Sequence, residues 1–355
     1  MEQISKQAIP EWFAVQGATK GRSHLAEGTE CQDKTCILRK NGILSVALAD
    51  GAGSAVLSHE GAATVTRTVC ELLCGRFDEF HGSESQLSVR RTIIERLRES
   101  LQETAAVFGC ALRDLASTLL AVAISGNRYL ILHLGDGVIG YTKNGVLKVA
   151  SAPQNGEFAN TTYFVTSSRA VEMMRTIKGT DPLIDGFTLM SDGCEASLYD
   201  KRKQYLAPVL GQLLHRLSVT SETFLQPSIQ RSLDNVVSTR TMDDCSLILT
   251  TRRGHAYNEM NQEELKEFFQ IDSPNGDIAE RQSSRFIHVL DALDKPMTER
   301  QLKRKLSKTD KFAGNARFWR KHGINPLIEM GYLARNDQNR YQRTIEPSFP
   351  SAGKK

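Results

Sequence analysis

Short runs of apolar and β-branched residues, each closed by a polar or glycine-bearing turn, recur along the first 253 positions of this 355-residue chain. Val46–Ala49, Leu119–Ile124, Tyr129–Leu134, Tyr163–Thr166, Phe187–Met190 and Ser246–Thr250 have the length and composition of strands. Between them the period lengthens. Ala62, Val65, Val69 and Leu72 repeat at helical spacing behind Ser58, which predicts a helix with Ser58 as its N-cap. Residues 87–107 and 209–217 predict two more helices. Such alternation predicts a layered α/β body with antiparallel sheets.

After Arg253 the pattern changes. Residues 258–269 are acidic and helical in character, with Leu265, Phe268 and Phe269 apolar, and Ser273-Pro274-Asn275-Gly276-Asp277 is a turn cluster. Residues 285–293 then predict a helix with Phe286, Val289, Leu290 and Leu293 on one face, and Thr298 caps a helix through Leu306. Residues 312–332 predict one or two further helices, with Phe318, Trp319, Ile324, Leu327, Ile328 and Met330 as core. Positions 331–334 and 340–343 read as two strands joined by a turn over 335–339. Helices followed by a hairpin resemble a winged helix.

Charge supports a division at the same place. Residues 1–253 carry 27 basic and 27 acidic side chains, residues 254–296 are net −5, and residues 297–355 are net +9. The expected organisation is therefore a large charge-balanced domain over 1–253, an acidic helical connector over 254–296 and a basic winged-helix-like domain over 297–355. A basic tail suits nucleic acid through phosphate contacts or a protein partner through docking. Docking is the favoured reading here, because the basic residues spread over several predicted helices.

The rest of the composition is ordinary. Hydrophobic residues make up 40% and charged residues 24% of the chain, as in soluble globular proteins. No apolar run reaches membrane-spanning length, and the first 16 residues lack the pattern of a signal peptide, so a cytoplasmic protein is expected. The seven cysteines are odd in number and contain no Cys-x-x-Cys pair, which predicts reduced, structural thiols.

Chemistry enters at the turns. Asp50, Asp136, Asp192 and Asp243 each lie in an acidic turn that follows a stretch rich in apolar and β-branched residues, and the first three have a glycine next in sequence. Asp-Gly is a common turn dipeptide, but four such turns suggest one shared site. Carboxylates and backbone carbonyls are the donors that Mg²⁺ and Mn²⁺ prefer. His133, inside an apolar strand, reads as a core histidine, and Ser54 and Ser191 read as turn residues rather than as nucleophiles.

Cys31-Gln32-Asp33, Ala49-Asp50-Gly51-Ala52-Gly53-Ser54, Leu134-Gly135-Asp136-Gly137, Ser191-Asp192-Gly193 and Asp243-Asp244-Cys245-Ser246-Leu247 together resemble the ordered motifs of metal-dependent type 2C (PPM) protein phosphatases. With Ser23-His24 ahead of Cys31, the chain is most similar to the compact bacterial branch of that family. The resemblance implies a four-layer α/β-β/α sandwich of two antiparallel sheets flanked by helices, followed here by the small C-terminal domain. It implies that Asp50 bridges two Mn²⁺ or Mg²⁺ ions, that Gly51 offers its carbonyl to one of them, and that Asp192 and Asp243 bind the other. Asp136 with Asp192 resembles a third-ion site, Asp33 the residue orienting metal-bound water, and Gln32 and Asp244 hydrogen-bonding support behind the ligands.

Two positions depart from the pattern. Where relatives commonly carry a phosphate-gripping arginine, five residues before Asp33, this chain has Gly28, leaving Arg22, His24 and Lys34 as the candidates. Where some relatives carry a histidine two residues after the bridging aspartate, it has Ala52, so metal-bound water or His24 would protonate the leaving group. Neither gap removes a ligand. The expected function is hydrolysis of phosphorylated Ser/Thr proteins by metal-bridging hydroxide, opposite a partner kinase, with the C-terminal domain as targeting device. The alternative is a regulator that binds a phosphorylated partner while its tail contacts DNA or protein.

Overall fold

The computed structural model describes residues 12–154, 162–220, 222–254, 257–306 and 316–345. The expected N-terminal stretch before Trp12, residues 312–315 of the predicted helical segment and residues 346–355 of the basic domain lie outside them. In chain order the strands of the larger unit are β1 (Trp12–Thr19), β2 (Lys34–Lys40), β3 (Ile43–Ala49), β4 (Leu119–Ser125), β5 (Arg128–Leu134), β6 (Val138–Lys143), β7 (Val146–Ser151), β8 (Arg175–Thr180), β9 (Ile184–Met190), β10 (Tyr199–Asp200), β11 (Tyr205–Leu206) and β12 (Cys245–Arg252). One five-stranded sheet has the order β1-β12-β9-β6-β7 and the other β2-β3-β4-β5-β8, with β10 and β11 forming a separate ribbon. Every pairing in both sheets is antiparallel.

The period-2 geometry of a strand explains the layering. Val46 and Leu48 of β3, with Leu120 and Val122 of β4, point toward Ile139, Phe187, Leu189 and Ile248 of the second sheet. Their neighbours Ala47, Ala49, Ala121 and Ala123 point the other way, onto the helices Ser58–Gly82 and Gln86–Phe108. A strand buried on both faces reads as a continuous apolar run, as β3 does. On the far side, Met190, Leu247 and Leu249 pack under Leu210 and Leu214 of the helix Pro208–Val219 and Leu225 and Ile229 of the helix Glu222–Ser232. Helix, sheet, sheet and helix form the expected four layers.

Three local expectations change. Tyr163–Thr166 is a loop, not a strand: Val165 N–H bonds Ser117 O at 2.9 Å, Phe164 N–H bonds Ser167 Oγ at 3.0 Å, and the buried Tyr163 and Val165 explain the apolar pattern. Ser58 is the first residue of its helix rather than the cap. Leu57 occupies the cap without a side-chain bond, and Ser58 is buried. Asp243 and Asp244 precede β12 instead of following a strand, the segment before them being helical turns over Leu233–Arg240.

The chain divides into two compact units, one of Met1–Leu217 with Leu225–Arg253 and one of Ser218–Phe224 with Gly254–Lys355. In the second, the helix Gln262–Phe268 starts from an Asn261 capping box, and the helix Gly276–Ala292 begins earlier than predicted, at an Asn275 cap. Thr298 caps the helix Glu299–Leu306, its Oγ1 accepting from Gln301 N–H at 3.3 Å. Helical turns over Ala316–Glu329 lead to the hairpin β13 (Leu333–Arg335) and β14 (Tyr341–Arg343), and Met297 pairs with Tyr341 as an isolated bridge. Residues 254–296, expected as a connector, share a core with the rest of this unit. Leu265, Phe268, Phe286 and Val289 cluster with Leu302, Trp319, Leu327 and Tyr341.

Each unit thus has its own buried cluster, and a truncation in either is expected to act there first. Phe187→Ala, between Trp12 and Tyr129 in the inter-sheet core, should cost about 3–5 kcal/mol, and Leu302→Ala, fully buried in the second unit, about 2–5 kcal/mol. Urea titration followed by fluorescence checks this, since Trp12 and Trp319 report one unit each. Identical shifts of a single transition by both variants would show that the units do not unfold separately.

Candidate active site

Antiparallel pairing brings the four acidic turns together. Asp50 follows β3 and Asp136 follows β5, strands of one sheet that both pair with β4 and so end on the same side. Asp192 follows β9 of the other sheet. Because β12 runs antiparallel to β9, with Leu247 opposite Met190, the start of β12 lies beside the end of β9, and Asp243 reaches the same place from the opposite chain direction. An open cleft of about 540 Å³ results, lined by Asp50, Asp136, Asp192 and Asp243 together with His24 and Gln32.

Hydrogen bonds to neighbouring turns fix each acid. Asp50 N–H donates to Thr118 Oγ1 at 2.9 Å, and Thr118 N–H returns a bond to Asp50 O at 2.8 Å. Gly51 N–H donates to Gln32 O at 3.2 Å. Thr162 Oγ1 donates to Asp136 Oδ2 at 2.6 Å. Gly135, just before Asp136, has φ +122, and a Cβ there would meet Thr118 at 2.6 Å, so only glycine suits the turn. Gly193 lets the two loops of the second sheet touch, since a Cβ would lie 1.9 Å from Asp244 O.

Behind this floor, Asp244 is buried and accepts from Gly21 N–H and Gln32 N–H, both at 2.6 Å, while His24 Nδ1 lies 2.9 Å from its Oδ1. The carboxylate thereby ties the Cys31-Gln32-Asp33 turn to the Asp243 loop. Asp33, 2% exposed, accepts from Ser191 Oγ at 2.7 Å, and Ser191 Oγ in turn accepts from Ser246 N–H at 2.9 Å. That is the hydrogen-bonding role expected of Ser191. His133 is buried between Ser151 Oγ and Gly135 O at 2.7 and 3.0 Å, outside the cleft lining, as a core histidine.

The electrostatics are unusual for a structural cluster. Ligand oxygens of Asp50, Asp136 and Asp192 all lie within 4.8 Å of one another, and among the described residues none of the three is in an ion pair. Burial, then the charge of Asp33 and the other cleft aspartates, pushes the Asp50 carboxyl well above its ordinary value. Burial followed by Asp136 and Asp243 raises Asp192 to about 7, and burial raises Asp33 to about 6. The Asp192 Oδ1 and Asp33 Oδ1 atoms are buried without a hydrogen-bond partner among the described residues. Oxygen donors crowded, unpaired and aimed at one point fit a hard divalent cation.

The candidates for gripping phosphate separate. His24 lines the cleft; Arg22 and Lys34 do not. Arg22 Nε donates to Thr241 O at 2.9 Å, and Lys34 Nζ to Cys31 O at 2.8 Å. Thr118, Thr162 and Phe164 also line the cleft and were not anticipated. A threonine or phenylalanine in a loop carries no pattern that distinguishes it from packing, although Thr118 does stand immediately before the apolar run of β4. All seven cysteines are free, as expected.

Comparison with known proteins agrees with this geometry. The family profile described as Protein phosphatase 2C matches residues 20–236, more than half of the chain. Serine/threonine-protein phosphatase 3 of Escherichia coli (strain K12) is 31% identical over 177 residues, covering 48% of this chain and 68% of the relative. A C. elegans sex determining protein superposes with a TM-score of 0.50 at 14% identity over 70% of this chain and 66% of that one. Serine/threonine phosphatase Stp1 from Staphylococcus aureus has a TM-score of 0.49 at 16% identity, over 72% of this chain and 100% of its own. The profile spans Asp33, Asp50, Asp136 and Asp192 of the site and ends before Asp243, and the chain belongs to the protein phosphatase 2C family.

Proposed function

We propose that the chain hydrolyses phosphoserine and phosphothreonine in protein substrates using Mn²⁺ or Mg²⁺, and that its second unit directs it to them. The observation that carries the reading is the convergence of Asp50, Asp136 and Asp192 within 4.8 Å, with none of the three in an ion pair among the described residues. Asp50, Asp192, Asp243 and the Gly51 carbonyl would hold two ions, and Asp136 with Asp192 a third. When bound, such ions polarise phosphoryl oxygens and acidify water, supplying the nucleophile.

The chain's own residues do the positioning. Thr118 and Thr162 hold Asp50 and Asp136 in place, and the Asp243 loop is braced where Asp244 N–H bonds Asp243 Oδ1 at 2.9 Å. Asp33, raised to about 6 and steadied by Ser191, would orient the attacking water and accept its proton near neutral pH. His24 faces the cleft with Nδ1 against Asp244, which leaves Nε2 to bind the phosphate or protonate the departing serine oxygen. An acidic cleft without ions would repel a phosphate dianion, so occupancy and substrate binding are coupled.

Hydrolysis of p-nitrophenyl phosphate is accordingly expected to require added Mn²⁺ or Mg²⁺ and to stop with EDTA. Full turnover in metal-free buffer would overturn the proposal. Asp50→Asn and Asp192→Asn should each lower kcat by at least about 100-fold, beyond the loss typical of outer-shell partners, whereas Asp136→Asn should chiefly raise the metal concentration needed for half activity. A metal titration of the three variants separates these outcomes.

The raised carboxylates also fix a pH dependence. The Asp192 carboxyl titrates at about 7 when folded against an ordinary 3.8, so between these values the folded metal-free chain binds more protons than the unfolded one. Stability therefore falls as pH rises through that window. Asp192→Asn should raise the Tm of the metal-free protein at pH 7 while weakening metal binding, and in the wild type metal binding should release protons and tighten as pH rises through about 6 to 7. Thermal melts in EDTA and calorimetry in two buffers of different ionisation enthalpy provide the check; a lower Tm for the variant would contradict it.

A further inference from the structure

We propose that the second unit binds the phosphate backbone of duplex DNA through a groove beside the β13–β14 hairpin. Two segments distant in sequence meet there: residues 295–305, with Lys295 before the Met297 bridge and Gln301, Arg304 and Lys305 on the helix Glu299–Leu306, and Arg340 just before β14. They line an open groove of about 470 Å³. Four of the unit's basic residues, from both segments, are thus gathered along one groove. That local concentration is what the sequence-level preference for protein docking did not see.

The unit also leaves two of these cations unspent. Glu299 collects Lys303 at 2.5 Å, Arg335 at 3.2 Å and Arg320 at 3.8 Å, and Asp294 holds Lys305 at 2.9 Å. Among the described residues, Arg304 and Arg340 are in no ion pair, and both are exposed, as is Lys295 beside Asp294. Unpaired guanidinium groups are the side chains best matched to phosphate oxygens. The apolar part of the lining is Pro296 and the buried Met297, and it includes no aromatic anchor of the kind protein interfaces favour. The exposed large hydrophobics described in this unit are Ile278 and Ile328, and neither lines the groove. A strongly positive groove without such an anchor has the character of a nucleic-acid interface.

The experiment is fluorescence anisotropy of full-length protein with a fluorescein-labelled 20-base-pair duplex, over a salt series starting near ~50 mM. Binding is expected at low salt, with the logarithm of affinity falling linearly with that of salt concentration. The double variant Arg304→Ala/Arg340→Ala should flatten that slope by about two, one for each phosphate contact removed. Arg96→Ala/Arg113→Ala, which removes the same charge from the exposed surface of the first unit, should leave the slope unchanged. Hydrolysis of p-nitrophenyl phosphate should be unaltered in both. Absence of binding at low salt, equal loss in the two double variants, or tighter binding of labelled polyglutamate than of the duplex would each overturn the proposal, the last in favour of an acidic protein segment.

Discussion

Repulsion among carboxylates held at one end of a β-sandwich is the constraint on which the site depends. Asp50, Asp136 and Asp192 come within 4.8 Å of one another, a spacing at which like charges repel and oppose folding. Nothing local to one turn makes them tolerate this. They are held by strands whose other residues are buried on both faces, so backing away would disturb the inter-sheet core at Leu48, Leu120 and Leu189. The two sheets supply the free energy that keeps an electrostatically unfavourable cluster intact, and a cation removes the penalty.

The same constraint accounts for the small residues around the cleft. Two loops can present acids to one point only if their backbones nearly touch, which is the role of Gly193 against Asp244 O. Gly135 turns the chain sharply enough for Asp136 to follow β5 without displacing Thr118. Substituting either would move a carboxylate by shifting backbone, a change that no rotamer adjustment corrects. Asp244 gives the complementary restraint: buried, it neither faces the cleft nor needs an ion, because two backbone N–H groups already bond it.

Most of the site was legible because its chemistry is carried by local motifs at strand ends, and the family resemblance rested on those same residues. The fold was legible where strands are buried on both faces, as in β3 and β4. It was poorly legible where they are half-buried. β2, with five residues of intermediate burial and two exposed, and β7, with one buried residue, lack a continuous apolar run. Their signal lay in the turns instead. Asn41-Gly42 and Asn144-Gly145 adopt positive φ of 56 and 73, and of 51 and 70, the backbone of two-residue hairpins. Tyr163–Thr166 shows the opposite error, since a loop that buries two of its side chains imitates a strand. The approach of Asp243 from the start of β12 was not readable at all, because it depends on pairing between β9 and β12, more than fifty residues apart.

The two units carry opposite electrostatic solutions, and the physics favours keeping them apart. A cleft that concentrates carboxylates to hold cations sets a negative potential that would repel a nucleic-acid backbone; a groove that leaves Arg304 and Arg340 unpaired would compete for the same phosphoprotein. Their responses to solvent differ as well. Interactions inside a partly buried cluster are screened little by salt, whereas those of exposed cations decay over a Debye length of about 8 Å at physiological ionic strength. On the proposed division of roles, ionic strength would act mainly on where the enzyme is held, and metal and pH mainly on whether it turns over. A single cluster serving both purposes would have no such separation, since any ion that satisfied the aspartates would also change the affinity for the polyanion.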